Sequence, residues 1–389
     1  MLTRSMTPTL HRLAASFPVL AMTGPRQSGK TTLARALFAD KPYVSLEDPI
    51  ERAFAFEDPR GFLVRFSQGA VFDEAQRWPD LFSHLQGMVD ADRRPGRFIL
   101  TGSQQFGLLA GVTQSLAGRV GMTRLLPLAA TEIPAVSQNQ LSLNGLMLKG
   151  GYPALHTQPV EPADWFASYI ATYIERDVRQ VLNIQSLPTF QRFLRLCAGR
   201  VGQLLNVSAL ASEAGITANT AKSWLAVLES SDLIHLLPPY HRNFGKRLVK
   251  MPKLYFLDTG LACWLLGIRS EEVLALHPLR GALFENWVVG EFIKARYNRG
   301  QPADLYFWRD NNGLEADLIF EQGEHLQMVE IKSGQTITSD TIRAGQRATR
   351  MAEDEALAPW LIYGGDETYE RSGVEIFGWR EIHAAVGNT

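Results

Sequence analysis

The sequence predicts a chain of α/β class: a helix-covered parallel sheet first, then a helical segment carrying a winged helix, then a second region that mixes strands and helices. Three observations predict it. Short apolar runs alternate with helical patterns early in the chain, as they do when parallel strands are joined by crossover helices. From residue 164 to 237, apolar residues recur three and four positions apart, the period of one helix face. Strand-like apolar runs then return between Asp317 and Tyr363.

The elements follow in chain order. The first strands are expected at residues 19–22, 43–46, 70–72, 98–101 and 124–126. Gly150-Gly151-Tyr152-Pro153 breaks their rhythm and marks a boundary. In the helical segment, Phe166, Tyr169, Ile170, Tyr173, Ile174, Val178 and Val181 form one stripe, which we assign to core packing. The last region has strands at 317–320, 328–331 and 360–363. The expected domains are therefore residues 1–150, 151–254 and 255–389.

Composition bounds the function. Apolar residues make up 46% of the chain, enough for a core in each part. No apolar run reaches the roughly 18 residues of a membrane span, and the first residues lack the apolar stretch of a secretory signal. Cys197 and Cys263 are too few for a disulfide framework or a zinc cluster, which suits a reducing cytoplasm. The net charge of −1 is unevenly spread. Residues 1–300 hold 32 Lys and Arg against 24 Asp and Glu; residues 301–389 hold 7 against 16. The basic body is compatible with a polyanionic partner.

Residues 24–31 read Gly24-Pro25-Arg26-Gln27-Ser28-Gly29-Lys30-Thr31, a GxxxxGKT phosphate loop. It follows an apolar strand and opens a helical run beginning at Thr32, the context the motif requires. Its backbone N–H groups and the helix N-terminus suit the phosphates of ATP. Lys30 would reach the β- and γ-phosphates, and Thr31 would hold Mg²⁺. A second apolar strand ends in Asp73-Glu74: Asp73 for Mg²⁺ through water, Glu74 as the general base for an attacking water. A third ends in Thr101-Gly102-Ser103-Gln104, where Ser103 or Gln104 is a candidate γ-phosphate sensor. Arg119 is a candidate arginine finger acting on a neighbouring subunit.

The phosphate loop, the run Tyr43-Val44-Ser45-Leu46-Glu47-Asp48-Pro49, Asp73-Glu74, Thr101-Gly102-Ser103, Ser115-Leu116-Ala117-Gly118-Arg119, Gly150-Gly151-Tyr152-Pro153 and Tyr173-Ile174-Glu175-Arg176-Asp177 together resemble a large prokaryotic family. Its members are ATP-binding proteins of the AAA class with a C-terminal domain of unknown function. The resemblance implies an AAA-type core with strand order 5-1-4-3-2.

Residues 206–228 fit a helix-turn-helix. Ser208 is the expected cap of a helix ending at Ala214, Gly215 the turn, Ile216 a core plug and Thr217 the second cap. Ala221, Trp224, Leu225 and Leu228 would face inward, leaving Ala218, Asn219, Lys222 and Ser223 toward a DNA groove. Residues 233–237 and 254–257 would pair around a basic wing carrying Arg242, Lys246, Arg247, Lys250 and Lys253 for phosphate contact.

Near the C-terminus, twelve residues separate Asp317 from Glu330-Ile331-Lys332. Gln322-Gly323-Glu324 is a plausible turn between two strands. Asp317 and Glu330 suit Mg²⁺ or Mn²⁺, Lys332 suits water activation, and Glu285 on an upstream helix could join the metal. This arrangement resembles the restriction-endonuclease-like PD-(D/E)XK fold, with Ala316 where proline commonly stands. The expected protein is thus an ATP hydrolase acting on duplex or branched DNA, as a homo-oligomer such as a hexameric ring, with metal-dependent DNA cutting as an added expectation. The rival reading is a regulatory or defence switch whose C-terminal domain binds a partner without cutting.

Overall fold

A computed structural model describes residues 2–103, 115–174, 186–240, 250–309, 314–350 and 356–387. Its contacts form two compact units. The first comprises residues 1–127, 230–232 and 296–302; the second holds the rest. The division falls at Pro127, ahead of the Gly150-Gly151 break read from the sequence. The reason is a set of bonds in the second unit: the Leu128 N–H donates to Gly151 O at 2.7 Å, and Lys294 Nζ donates to Leu128 O at 3.0 Å.

The first unit is built on five parallel strands: β1 (Val19–Thr23), β2 (Tyr43–Ser45), β3 (Ala70–Asp73), β4 (Phe98–Thr101) and β5 (Val120–Arg124). Their order is β2-β3-β4-β1-β5, which read from the other edge is 5-1-4-3-2. Strand alternation explains the two cores. Val19 and Ala21 of β1 pack with Phe62, Phe72 and Trp78 on one face, while Leu20 and Met22 pack with Leu33 and Ile99 on the other. A parallel sheet covered on both faces needs such uninterrupted apolar strands. β5 begins four residues before the apolar run 124–126 that was expected to form it. Its half-buried alternation and Gly121, which packs against Phe17 and Leu13, hide it from a search for apolar runs.

In the second unit, helices Val207–Ala214 and Ala218–Ser230 flank Gly215, which has a left-handed φ of 74°. Asn206, not Ser208, caps the first helix, accepting from the Ala209 N–H. Thr217 accepts from Thr220 N at 3.1 Å, as expected. Ala221, Trp224, Leu225 and Leu228 are buried, and Trp224 meets Phe190 and Phe193 edge-on. Ile216 is only half-buried. β6 (Ile234–Leu237) pairs antiparallel with β7 (Lys253–Phe256). Of the expected helical stripe, Phe166, Tyr169 and Ile170 are buried; Val178 and Val181 lie outside the described residues.

The C-terminal sheet has six strands in the order β12-β13-β11-β10-β9-β8. They are β8 (Tyr306–Arg309), β9 (Glu315–Gln322), β10 (His325–Lys332), β11 (Trp360–Tyr363), β12 (Tyr369–Arg371) and β13 (Val374–Gly378). β9 and β10 form the antiparallel hairpin anticipated around Gly323, whose φ is +65°. Among the described residues, no helix is long and apolar enough to cross a membrane.

Candidate functional site

The phosphate loop connects β1 to the helix Lys30–Leu37. Gly24 is required there: a Cβ would lie 2.1 Å from Leu125 O, and its φ is +142°. Gly29, with φ +94°, turns the chain into the helix. Lys30 is buried and donates to Gly24 O at 2.9 Å and Pro25 O at 2.7 Å. Burial lowers its pKa from 10.5 to about 8, against the opposing pull of Glu74 and Asp73. Ser28 Oγ is buried without a hydrogen-bond partner among the described residues. A loop whose ammonium bonds its own carbonyls, with an orphaned hydroxyl alongside, fits an anionic phosphate ligand.

Asp73 ends β3 under three hydroxyl donors. Thr31 Oγ1 lies 3.0 and 3.1 Å from its two oxygens, Tyr43 OH donates to Oδ2 at 2.8 Å, and Thr101 Oγ1 donates to Oδ1. A hydroxyl and a carboxylate held together at the end of the phosphate loop form a hard-oxygen pair that fits Mg²⁺. Glu74 follows with a φ of 54°, a left-handed conformation that costs a non-glycine residue about 1–2 kcal/mol. It turns the carboxylate toward Gln76 Nε2 at 2.5 Å and Ser103 Oγ at 2.9 Å. Gln27, in the loop itself, is left-handed too, at 64°. Two strained backbone positions thus flank the phosphate site.

Gly24, Pro25, Arg26, Gln27, Ser28, Gly29, Lys30, Thr31, Thr32, Asp73, Glu74 and Ser103 thus lie on one loop, its helix and two neighbouring strand ends of one sheet. Gln104 lies outside the described residues. Three contributors were not picked out from the sequence. Arg4 is buried and donates to Ser28 O and Leu126 O, both at 2.7 Å, bracing the loop from behind. Tyr43 and Thr101 hold Asp73. Thr101 had a visible signal, a hydroxyl closing an apolar strand; Arg4 had none.

Arg119 is not part of this site within one chain. It precedes β5 at the N-terminal edge of the sheet, where its carbonyl accepts from Val19 N, whereas the loop leaves the C-terminal edge. Its guanidinium forks onto Asp90 at 2.7 and 2.9 Å.

The second cluster lies in the C-terminal sheet. The β9–β10 register continues to bring Glu330 opposite Asp317. Asp317 Oδ2 accepts from Ile331 N at 2.8 Å. Lys332 Nζ lies 2.5 Å from Glu330 and 3.8 Å from Asp317. Glu285 is held by Tyr255 OH at 2.5 Å and Lys253 Nζ at 2.9 Å. Lys253 also pairs with Glu315. Burial, then the charge of Asp317, pushes Glu285 and Glu330 up from 4.5 to about 7.

Among the described residues, no three His, Cys, Asp or Glu side chains are grouped to hold a metal ion. Lysines face the acids expected to hold one: Lys253 contacts Glu285, and Lys332 contacts Glu330 and lies 3.8 Å from Asp317. Lys253, expected on an exposed basic wing, is 2% exposed and belongs to this cluster. Asn219, Lys222 and Lys250 are exposed as expected, while Arg242, Lys246 and Arg247 lie outside the described residues.

Comparison with known proteins agrees with the phosphate site. An AAA domain model matches residues 16–134, and two domains of unknown function, DUF8612 and DUF4143, match residues 140–272 and 280–382. Two relatives, Uncharacterized protein Rv2008c of Mycobacterium tuberculosis and Uncharacterized protein Mb2031c of Mycobacterium bovis, are each 32% identical over 373 residues. The match covers 95% of this chain and 81% of each relative. Among solved structures, the Walker-type ATPase paby2304 of Pyrococcus abyssi is 15% identical, with a TM-score of 0.47, over 68% of this chain and 96% of that one. The chain therefore belongs to the family of the two mycobacterial proteins, as a P-loop ATPase whose AAA domain is followed by two domains of unknown function.

Proposed function

We propose that the protein hydrolyses ATP and couples turnover to DNA. The observation that carries the first half is the Asp73-Glu74 pair beside the phosphate loop, one carboxylate under hydroxyl donors and the next turned toward Ser103. Lys30 and the loop amides bind the phosphates, exchanging the Gly24 and Pro25 carbonyls for phosphate oxygens. Thr31 and Asp73 would hold Mg²⁺, which when bound neutralises charge on the β- and γ-phosphoryl oxygens. Glu74 accepts the proton of the attacking water, while Ser103 and Gln76 fix its direction. Arg119 of a neighbouring subunit adds positive charge to the site in an oligomer, a hexameric ring being one such form.

DNA coupling is supported by the helix Ala218–Ser230, which buries Trp224 and Leu228 and leaves Asn219, Lys222 and Ser223 exposed in its first turns. A winged-helix use of this face, with phosphate contacts from Lys250, Arg242, Lys246 and Arg247, suits sequence-independent binding. The C-terminal carboxylates are paired internally with lysines, which favours binding over cutting there.

The test is ATP turnover with and without single-stranded, duplex and branched DNA. Turnover that rises with one of them supports coupling. Turnover indifferent to all three favours the nucleotide-controlled switch, whose C-terminal domain engages a protein. Mixing Arg119→Ala with Lys30→Ala protein should restore activity that each lacks alone; no restoration would rule out the shared active site.

A further inference from the structure

We infer that Lys253 is the resident cation of the C-terminal carboxylate cluster: β7 delivers an ammonium to Glu285, an acid that the sequence pattern assigns to a divalent metal, and to its neighbour Glu315, so the cluster fastens strands together and holds no metal. Glu285, Glu315, Asp317 and Glu330 come from one helix and two strands, and Lys253 and Lys332 reach all four between them. Such a group needs compensation, by metal or by protein cations. Lys332 compensates Glu330 and Asp317 from its place two residues along β10. The remaining pair, Glu285 and Glu315, is not left for an ion from solution. The Lys253 ammonium touches both, and Arg309 adds a second contact to Glu315 at 3.4 Å.

The geometry distinguishes a resident cation from a passing surface contact. Lys253 is 2% exposed, so its ammonium has exchanged water for carboxylates. Its neighbour two residues on, Tyr255, donates to the same Glu285 oxygen at 2.5 Å. β7 thus presents two donors on one face of the strand to the helix Arg280–Asn298. The Lys253 ammonium also lies 5.5 Å from the Phe307 ring centroid, and the Tyr240 N–H donates to Phe307 O at 2.7 Å. The β6–β7 segment and the C-terminal sheet are therefore joined by backbone bonds, an aromatic contact and this buried ion cluster. A divalent ion at Glu285 and Glu315 would have to displace the ammonium from both, and the ammonium is tethered at very high local concentration.

The inference shares no residue with the ATP site or the DNA-facing helix, so it stands or falls separately from the proposed function. The test is titration of the full chain with Mn²⁺ at pH 8 without nucleotide, followed by the electron paramagnetic resonance of free Mn²⁺. The unmodified protein and Asp317→Asn are expected to bind the same number of ions, because the cluster contributes none. Lys253→Met and Lys253→Gln are expected to gain one ion per chain, lost again when Glu285→Gln is added. Asp317-dependent Mn²⁺ binding by the unmodified protein would overturn the inference. So would a Lys253 variant with an intact circular dichroism spectrum that gains no ion. If both Lys253 variants fail to fold, the comparison of unmodified protein with Asp317→Asn still decides.

Discussion

Two clusters of buried acids, one in each compact unit, are built from the same residue types and prepared for different work. Asp73 is surrounded by neutral donors: the hydroxyls of Thr31, Tyr43 and Thr101. Glu74 likewise accepts from an amide and a hydroxyl. These donors fix direction without cancelling charge, and Lys30, the nearby cation that both acids attract, bonds the loop carbonyls. In the C-terminal sheet, Glu285, Glu315, Asp317 and Glu330 are matched by Lys253, Lys332 and Arg309. There three cations offset most of the charge of four acids, and the gain is cohesion between strands. The partner of a carboxylate, more than its burial, decides whether it is available for chemistry.

The comparison breaks first, and most visibly, at the phosphate site. Lys30→Ala and Glu74→Gln should each lower kcat for ATP by about a hundredfold or more. Glu74→Gln should keep nucleotide affinity, because it removes the base and leaves the phosphate contacts. Near-unchanged turnover in both would remove the assignment of this cluster as the chemical one. In the opposite unit, Asp317→Ala should leave ATP turnover intact, since the clusters share no residue.

Intermediate effects belong to the hydroxyls. Thr101→Val and Tyr43→Phe each take one donor from Asp73, and a hydrogen bond to a charged group contributes about 1.5–3 kcal/mol. We expect the Mg²⁺ concentration for half-maximal turnover to change by about tenfold in each, with the fold unchanged by circular dichroism. A response in turnover at saturating Mg²⁺ alone would mean that these hydroxyls orient water and do not position Asp73.

The smallest effect sharpens the contrast through pH. Glu285 and Glu330 are pushed up to about 7 in the folded chain, from 4.5. A carboxyl whose pKa is raised by folding binds more protons folded than unfolded, so stability falls as pH rises from about 4.5 to about 7. Glu330→Gln should remove part of that loss, about 2 kcal/mol, when urea unfolding at pH 5 is compared with pH 8. The same pH steps in the variant and the unmodified protein, giving equal losses, would show that Glu330 does not titrate in this window.

Much of the first unit was legible because its signals are local. The phosphate loop is eight consecutive residues, and four of the five strands of the parallel sheet are short apolar runs found within a residue or so of their expected ends. β5 escaped because Gly121 and Thr123 fill alternate positions and Arg124 ends the strand. In the C-terminal sheet, β9, β10 and β11 were legible from their apolar runs. β8, β12 and β13 were not: β12 is wholly exposed, and β13 carries a glutamate between apolar residues. The hairpin β9–β10 was readable because Gly323 marks its turn and period-two alternation sets its faces.

By itself, the sequence determined the phosphate loop, the acids at the ends of the strands and the pairing of Asp317 with Glu330 across a hairpin. Each rests on spacing between near neighbours or on an apolar period. Only the tertiary structure decided which acids are free to act. The donors to Asp73 come from 42, 30 and 28 positions away, and Lys253 reaches Glu285 across 32. No local pattern encodes contacts at such separations. Lys253 is the clearest case: in sequence it closes a basic run, yet a strand with buried residues at all four positions carries it inward. Burial then forces an ammonium to find carboxylates, because an unpaired charge there would be far more costly than the pair.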